Sequence, residues 1–577
     1  MRKVLKTGAS ALAVLAMTMA GAAAGAAAAQ SPDAAATSSQ APSAAEIATI
    51  AEAVLAESYP ADGPGAAVVV MRGGKVIYTG ARGMADLAGG TAITPDTVFR
   101  LGSITKQFAA AMIVQLAQEG KLSLDDPLAK FFPDYPQPGS AATVRQLLQH
   151  TSGIQSYTSM PGAMAPENIA KPRTTAELIA WFRDQPSPHK PGEAWEYNNS
   201  GYVLLGAIIE QVTGKPWHQA LEERITGPLG LATIRYGVGG EDTPKMAEGY
   251  SGEATAAAEI ASPIHMSIPH AAGALIGTVG DLAKWAQALH HGKVVDAGHY
   301  ALMIAPGTTT DGKTHSYGFG LALDPLRGQP AIGHGGGING FSTDSIYVPS
   351  ADLFVAVFTN SDSPQTGPGV AMRRIAAAAI GDPYPAFTAQ EADPADYEPF
   401  FGIYPVAEGG ERRFFFKDGA FYAQRQGGGP MQVWPAGEGR FFYGSRTLSW
   451  FRLRRAEDGT PVMDFMPDGE NEVQTGKRLG PIPPEAAAID VPRAVLERYA
   501  GRYALGPATL TIAFGPGGGL IAELTGQPPV TLTPIGAGEF RVEEVDAILV
   551  FEGEEGPANA AVLKQAGQEM RANRVAE

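Results

Sequence analysis

The sequence contains no cysteine, which excludes disulfides, thiolate nucleophiles, iron–sulfur clusters and thiolate zinc sites. Its ten histidines include no His-Glu-x-x-His pair, so we expect neither a metal centre nor another cofactor. Charged residues are also sparse, at 18%, and the net charge of −16 argues against nucleic acid as a partner. Beyond the first 29 residues, no apolar run is long enough to predict a membrane span.

The N-terminus has the pattern of a secretory signal. Residues 1–29 combine a basic start, a short apolar core and a small-residue cleavage site at Ala27-Ala28-Ala29. Residues 30–44 are rich in Ala, Ser, Pro and Gln, which predicts a disordered linker. We therefore expect a periplasmic or secreted protein.

At 577 residues the chain is long enough for two to four domains. In residues 45–385, strand-like runs at both ends enclose helical patterns, which predicts an α/β domain with an antiparallel sheet. From residue 390 onward short alternating strands dominate, and the motif around Gly402 resembles the one around Gly501. We expect two small β-barrel domains at 390–480 and 490–577. One larger β domain with a chance match is the alternative.

A serine and a lysine three residues apart begin an apolar, helix-periodic run at Ser103-Ile104-Thr105-Lys106. Positions i and i+3 share a helix face, so Lys106 would lie beside the Ser103 hydroxyl and could take its proton. A helix N-terminus would also favour the developing negative charge. A second pair, Ser187 and Lys190, lies between prolines that leave no uninterrupted helix to hold it, so we reject it.

Two further segments carry groups suited to this chemistry. Tyr197-Asn198-Asn199 precedes a buried helical pattern; its phenol could act as a base if cationic neighbours lowered its pKa. Asn199 could bind Lys106 and a substrate amide. His334 is followed by three glycines that would let a substrate approach, and its ring could donate a hydrogen bond to the substrate. A core tyrosine and a helix-entry asparagine are the alternative for the first segment. The other His-Gly segment, His290-His291-Gly292, fits a helix C-terminus better.

In order and broad spacing, Ser103-Ile104-Thr105-Lys106, Tyr197-Asn198-Asn199 and His334-Gly335-Gly336 resemble the motifs of the serine β-lactamase-related family. Class C β-lactamases, D-alanyl-D-alanine carboxypeptidases, D-aminopeptidases and related esterases belong to this family. The resemblance implies an antiparallel sheet flanked by helices, with a helical subdomain. It also implies that Ser103 is the nucleophile, that Lys106 and Tyr197 move protons, and that Ser103 and Gly337 N–H groups form the oxyanion hole. Asn199, His334, Gly336 and Gly337 would bind the substrate.

Many family members carry Lys-Thr-Gly where this sequence has His334-Gly335-Gly336. A neutral imidazole attracts a substrate carboxylate less than lysine does, which counts against β-lactamase and carboxypeptidase activity. His-x-Gly with two C-terminal lipocalin-like domains resembles the D-aminopeptidase arrangement. We therefore expect a hydrolase of small amides or esters, with peptidoglycan fragments among the candidate substrates. Carboxylesterase, carboxypeptidase and β-lactamase are alternative activities, and a slowly acylating penicillin-binding or sensor protein is the non-enzyme alternative. The oligomeric state is left open.

Overall fold

The computed structural model describes residues 42–237, 243, 245–252, 254–406, 410–505, 508–525, 527–553 and 556–575. The predicted signal peptide and nearly all of the predicted linker lie outside the described residues. The chain divides into two compact units, one ending at Pro385 and the other beginning at Ala386. Within the described ranges, no helix is both long and apolar enough to cross a membrane.

The first unit is built on a six-stranded antiparallel sheet, as predicted. Its strands are β1 (Ala66–Arg72), β2 (Lys75–Arg82), β3 (Ile332–Gly333), β4 (Gly336–Ile338), β5 (Phe341–Val348) and β6 (Leu353–Thr359). The strand order is β3-β5-β6-β1-β2, and β4 pairs with β5. The central strands β1 and β6 are apolar on both faces because both faces are covered by helices.

Helices pack on both faces of this sheet. α1 (Ala44–Ser58) and α5 (Pro368–Ala379) form a core with one face, and α2 (Thr105–Gln118), α3 (Asn199–Thr213) and α4 (Val279–His290) contribute to the core on the other. Burial of these apolar faces stabilises the fold by about 25 cal/mol per Å² of apolar surface. The shorter helices are Val144–Leu148, Pro166–Ile169, Thr175–Phe182, Trp217–Leu221, the π-turn Glu222–Thr226, His270–Gly273 and Ala297–Met303.

Short strands outside the main sheet form several smaller sheets. Phe99–Arg100 pairs with Leu275–Gly277, which also pairs with Arg235–Tyr236. This small sheet holds the segment immediately before Ser103. The other short strands are Met84–Asp86, Thr91–Ala92, Tyr250–Ser251, Glu259–Ile260, Gly307–Thr308 and Thr314–His315.

Local signals explain several element boundaries. α1 begins with a capping box between Ser43 and Glu46, and α3 ends at Gly214 in the left-handed conformation. The apolar run over residues 318–323 forms a tight turn rather than a strand. Gly320 has a φ of +69° there, and a Cβ on it would lie 2.6 Å from the carbonyl oxygen of Lys106.

The second unit contains two small all-β domains, which confirms the prediction and excludes one larger β domain. Both are eight-stranded antiparallel meanders; the second is a closed barrel, and an Ile403–Gly480 bridge brings the ends of the first together. Each begins with the same arrangement, in which Tyr404 OH donates to Phe400 and Tyr503 OH donates to Tyr499. The first-barrel strands are Gly402–Pro405, Glu411–Lys417, Ala420–Arg425, Met431–Pro435, Arg440–Phe442, Trp450–Arg455, Pro461–Met466 and Gln474–Lys477. Those of the second are Gly501–Leu505, Ala508–Phe514, Leu520–Leu524, Val530–Gly536, Glu539–Val542, Ala547–Glu552, Ala560–Gln565 and Gln568–Arg574.

Candidate active site

Ser103 lies in a 3-10 turn, Gly102–Ile104, that leads directly into α2. The turn places Lys106 in the first helical turn, with the lysine Nζ 3.0 Å from Ser103 Oγ. The predicted side-chain pair is therefore present, although the serine precedes the α-helix rather than beginning it. Its position at the helix N-terminus favours negative charge near Ser103.

The amino group of Lys106 is completely buried, and its three polar contacts determine whether it is charged or neutral. Nζ lies 2.8 Å from Asn199 Oδ1 and 2.8 Å from the carbonyl oxygen of Ala272, in addition to Ser103 Oγ. No carboxylate is among these partners, and burial lowers the pKa of Lys106 well below its usual value. The amide and carbonyl oxygens can only accept hydrogen bonds. A neutral amine would donate its two hydrogens to them and direct its lone pair at the Ser103 hydroxyl.

The Tyr197 hydroxyl lies near enough to the Ser103 side chain to be influenced by it, and Lys106 Nζ lies 4.8 Å from the centre of the tyrosine ring. This phenol could act as a base if cationic neighbours lowered its pKa. The structure does not meet that condition, because burial of Tyr197 is the dominant influence and raises its pKa. The phenol is therefore neutral, and it offers one donor and one acceptor beside the nucleophile.

Asn199 is the first residue of α3, and Asn198 caps that helix by accepting from Gly201 N–H. The Asn199 amide is oriented from both ends. Its Oδ1 accepts from Lys106, while its Nδ2 donates to Thr158 Oγ1 at 3.0 Å. The bond to Thr158 uses one of the two side-chain N–H groups of Asn199 and does not require the other.

His334 lies beside this group but has a different role from the one expected. Its Nδ1 donates to the Gly335 carbonyl oxygen at 2.5 Å, and its Nε2 accepts from the Tyr317 hydroxyl at 2.8 Å. Burial, with a smaller contribution from Lys106, lowers the pKa of His334 to about 4. The imidazole is neutral near pH 7, and both ring nitrogens are engaged by the protein. The expectation of a free ring donor for the substrate is therefore not met in this conformation.

Gly336 and Gly337 lie on β4, which runs directly against the Ser103 turn. A Cβ on Gly336 would lie 2.1 Å from the Leu101 carbonyl oxygen and 3.0 Å from Ser103 N, so only glycine permits this approach. A Cβ on Gly337 would meet no atom within 4 Å. The Ile338–Phe341 pair closes the hairpin, so the next pair along directs the Gly337 N–H away from β5. This is the orientation that the predicted oxyanion hole requires.

A cluster of aromatic rings packs behind the candidate residues, and the sequence analysis missed it. His150 lies with its ring centre 4.4 Å from that of Tyr197 and 4.6 Å from that of Tyr317. Its Nδ1 accepts from the Asn198 N–H at 3.1 Å, which couples it to the Tyr197-Asn198-Asn199 segment. Burial is the main cause that lowers the pKa of His150 far below its usual value. The only sequence signal was His150-Thr151-Ser152-Gly153, a helix end with no evident chemistry.

The two rejected segments lie elsewhere. Lys190 has an exposed side chain and pairs with Glu193, in an irregular segment without a helix. His290 is in the last turn of α4, where its ring stacks on Tyr347 with centres 4.0 Å apart. Among the described residues, no group of three or more His, Asp or Glu side chains is placed to hold a metal ion.

Comparison with known proteins agrees with this geometry. The Beta-lactamase family model matches residues 54–380, which is more than half of the chain. A D-aminopeptidase of Brucella canis is 30% identical over 326 residues; this alignment covers 56% of the chain and 60% of the D-aminopeptidase. The chain thus spans less than two thirds of that relative.

Two solved structures are similar to the model. The D-stereospecific amidohydrolase from Streptomyces sp. aligns with a TM-score of 0.50 and 30% identity, over 59% of this chain and 99% of that one. The octameric penicillin-binding protein homologue from Pyrococcus abyssi aligns with a TM-score of 0.53 and 25% identity, over 75% of this chain and 99% of that one. The chain belongs to the β-lactamase-related family of serine hydrolases.

Proposed function

We propose that the protein cleaves small amides or esters through an acyl-enzyme on Ser103, with amides of D-amino acids as the preferred substrate class. The observation that carries this proposal is the set of contacts around Lys106. Two acceptor-only partners, Asn199 Oδ1 and Ala272 O, take the two hydrogens of a neutral amine. Its lone pair is then available to the Ser103 hydroxyl, 3.0 Å away.

In acylation, Ser103 Oγ forms a bond to the substrate carbonyl carbon while Lys106 Nζ takes the serine proton. Negative charge on the carbonyl oxygen would be stabilised by the N–H groups of Ser103 and Gly337. Collapse of the tetrahedral intermediate breaks the bond to the leaving amine or alcohol. The neutral Tyr197 hydroxyl, which lies near Ser103, would pass the proton from Lys106 to that leaving group.

Deacylation uses the same groups in the opposite direction. A water molecule takes the place of the leaving group, Lys106 and Tyr197 accept its proton, and its oxygen bonds to the acyl carbon. The ester bond to Ser103 then breaks and the serine regains its proton. No fixed cation faces the substrate at His334, whose ring is neutral at pH 7, and this favours uncharged acyl groups over substrates with a terminal carboxylate.

The substrate class rests on similarity to a D-aminopeptidase and a D-stereospecific amidohydrolase. The location of the protein is part of the same proposal: the N-terminal sequence pattern supports export to the periplasm or medium. A peptide substrate of that compartment, including a peptidoglycan fragment, is consistent with both the proposed substrate class and the proposed location.

Turnover of three probes tests this function: D-Ala-p-nitroanilide, its L-enantiomer, and p-nitrophenyl acetate, with nitrocefin alongside. We expect hydrolysis of the D-anilide at least tenfold faster than of the L-anilide. Activity on the acetate ester alone would favour a carboxylesterase, and dominant nitrocefin hydrolysis would favour a β-lactamase. A stable adduct without turnover would favour the penicillin-binding or sensor alternative.

A further inference from the structure

Among the described residues of the first β-barrel, one arginine is buried beside an apolar core. Arg412 lies on the strand Glu411–Lys417, on the same inward-facing row as the fully buried Phe414. Its relative exposure is only 9%. A side chain that is always charged is almost never buried to this degree unless it is paired.

In the described part of the chain, Arg412 has no charged partner. Its guanidinium carbon lies 3.4 Å from the centre of the Phe465 ring, so one face of the group is stacked. Its Nη1 is fully buried without a hydrogen-bond partner. No side-chain nitrogen of Arg412 forms a hydrogen bond or an ion pair with a residue that the structure describes. Five N–H donors in a planar fork are therefore left for something else.

A second cation adds to the charge at this end of the barrel. Arg425 is the directly paired residue on the neighbouring strand, Ala420–Arg425, and it lies near the barrel opening. Burial of Arg412 lowers the pKa of its guanidinium, and the positive charge of Arg425 lowers that pKa further. The buried Tyr443, a neutral phenol, is the other group that interacts with Arg412.

The second barrel shows that the scaffold itself requires no charge here. In the first barrel, Tyr404 pairs with Arg412, which pairs with Arg425. In the second, the corresponding Tyr503 pairs with Leu510, which pairs with Leu524. These leucines line a small apolar cavity at the equivalent position. Leucine at these positions is therefore compatible with the barrel fold, and of the two barrels only the first has the arginine pair.

We propose that Arg412 and Arg425 form a binding site for a small oxyanion, a carboxylate or phosphate group, at this end of the first barrel. The stacked guanidinium would present its N–H edge to two oxygens of the anion, and Arg425 would add charge from the opening. Both arginines belong to the second unit, and binding of an anion by them does not depend on the proposed hydrolysis. The ligand would be the anionic group of a small molecule, because Arg412 is reached only through the remaining 9% of its surface.

Isothermal titration of the full chain with inorganic phosphate, and separately with acetate, tests the site in chloride buffers of matched ionic strength. We expect one saturable site for at least one of the two anions, and the anion that binds identifies the source. Binding should weaken at least tenfold in Arg412→Leu, the residue of the second barrel. In Arg412→Lys, which keeps the charge but loses the planar fork, it should weaken severalfold.

Arg452→Leu is the matched control, since Arg452 is exposed on the outward row of the same barrel. It should change the affinity less than twofold, and Ser103→Ala should leave the affinity unchanged. Absence of binding by both anions, or equal binding by Arg412→Leu, would overturn the proposal. Failure of Arg412→Leu to fold would also contradict it, because Arg412 makes no stabilising polar contact with the described residues.

Discussion

Lys106 Nζ lies 3.0 Å from Ser103 Oγ and is held there by two oxygens that can only accept hydrogen bonds. The lysine is buried without a carboxylate, so its ammonium form is disfavoured and the neutral amine is stabilised. This relationship turns an ordinary serine hydroxyl into a candidate nucleophile. It also makes the activity sensitive to changes that restore charge to the lysine.

Replacement of Lys106 should separate activity from stability. We expect Lys106→Met to reduce kcat/KM about 10³-fold, because no other group can take the Ser103 proton at that position. Lys106→Arg should fail similarly, since the guanidinium keeps its proton. Because the folded-state pKa of Lys106 is lowered, the unfolded chain binds more protons and wild-type stability rises with pH toward 10.5.

Lys106→Met lacks that pH dependence, so it should be the more stable protein at pH 7 and its advantage should shrink at higher pH. Urea unfolding at pH 7 and pH 9, with kinetics on the same samples, measures both effects. A destabilised Lys106→Met variant at pH 7 would contradict the assignment of a strained, buried amine.

Asn199→Asp changes one atom of the side chain but places a carboxylate beside Lys106. The new charge should stabilise the lysine ammonium and raise the pKa of Lys106, so the acid limb of the kcat/KM profile should move to higher pH. Activity at pH 7 should fall at least tenfold. Asn199→Ala, the neutral control, should reduce activity without moving the limb in that direction. An unchanged pH profile in Asn199→Asp would indicate that protonation of Lys106 does not govern acylation.

The two glycines of β4 should respond very differently to an added methyl group. Gly336→Ala places its Cβ 2.1 Å from the Leu101 carbonyl oxygen, so it should displace β4 from Ser103, abolish turnover and lower the unfolding midpoint. Gly337→Ala meets no atom within 4 Å and should fold normally, with its effect confined to kcat and KM. Thermal unfolding followed by circular dichroism makes the comparison. Equal midpoints for the two variants would show that the contact is relieved without cost.

Acid should destabilise the first unit through its buried histidines. Burial lowers the pKa of His270 and His290 to about 3 and that of His334 to about 4, from an ordinary value of 6.5. The unfolded chain therefore binds more protons between pH 6.5 and 4. The stability that these neutral rings provide is complete above pH 6.5 and is lost as the pH falls, by about 1.4 kcal/mol per unit for each histidine.

The second unit has no histidine after residue 385 and is an internal control for this prediction. Tryptophan fluorescence and circular dichroism at pH 7, 6 and 5 should show the unfolding transition of the first unit moving to lower urea concentration. A transition of the first unit that does not move between pH 7 and pH 5 would contradict the assignment of neutral buried rings.

The sequence predicted what local patterns determine. Helical periodicity predicted the helices after Ser103 and at Asn199, which are α2 and α3, and the Ser103–Lys106 spacing predicted a pair that lies within one helical turn. Two prolines correctly removed the pair at Ser187 from consideration. These features depend on neighbours in the sequence, which a pattern can show.

The rest depends on contacts between distant segments. The Ala272 carbonyl reaches Lys106 from 166 residues away, and a backbone oxygen leaves no mark in the sequence. The sequence also does not show that the Tyr317 hydroxyl forms a hydrogen bond with His334, whose ring we expected to face the substrate. Tyr197 could act as a base only with a lowered pKa, but burial outweighs its neighbours and raises that pKa. Burial at one position follows from the complete fold.

Mass spectrometry of the quenched reaction with D-Ala-p-nitroanilide tests the central claim most directly. Rapid mixing at pH 7 followed by acid quench and peptide mapping should reveal a D-alanyl adduct on the peptide that contains Ser103, and none in Ser103→Ala. In Lys106→Met this adduct should form about 10³-fold more slowly. An adduct on any other residue, or unchanged turnover in Ser103→Ala, would contradict the account.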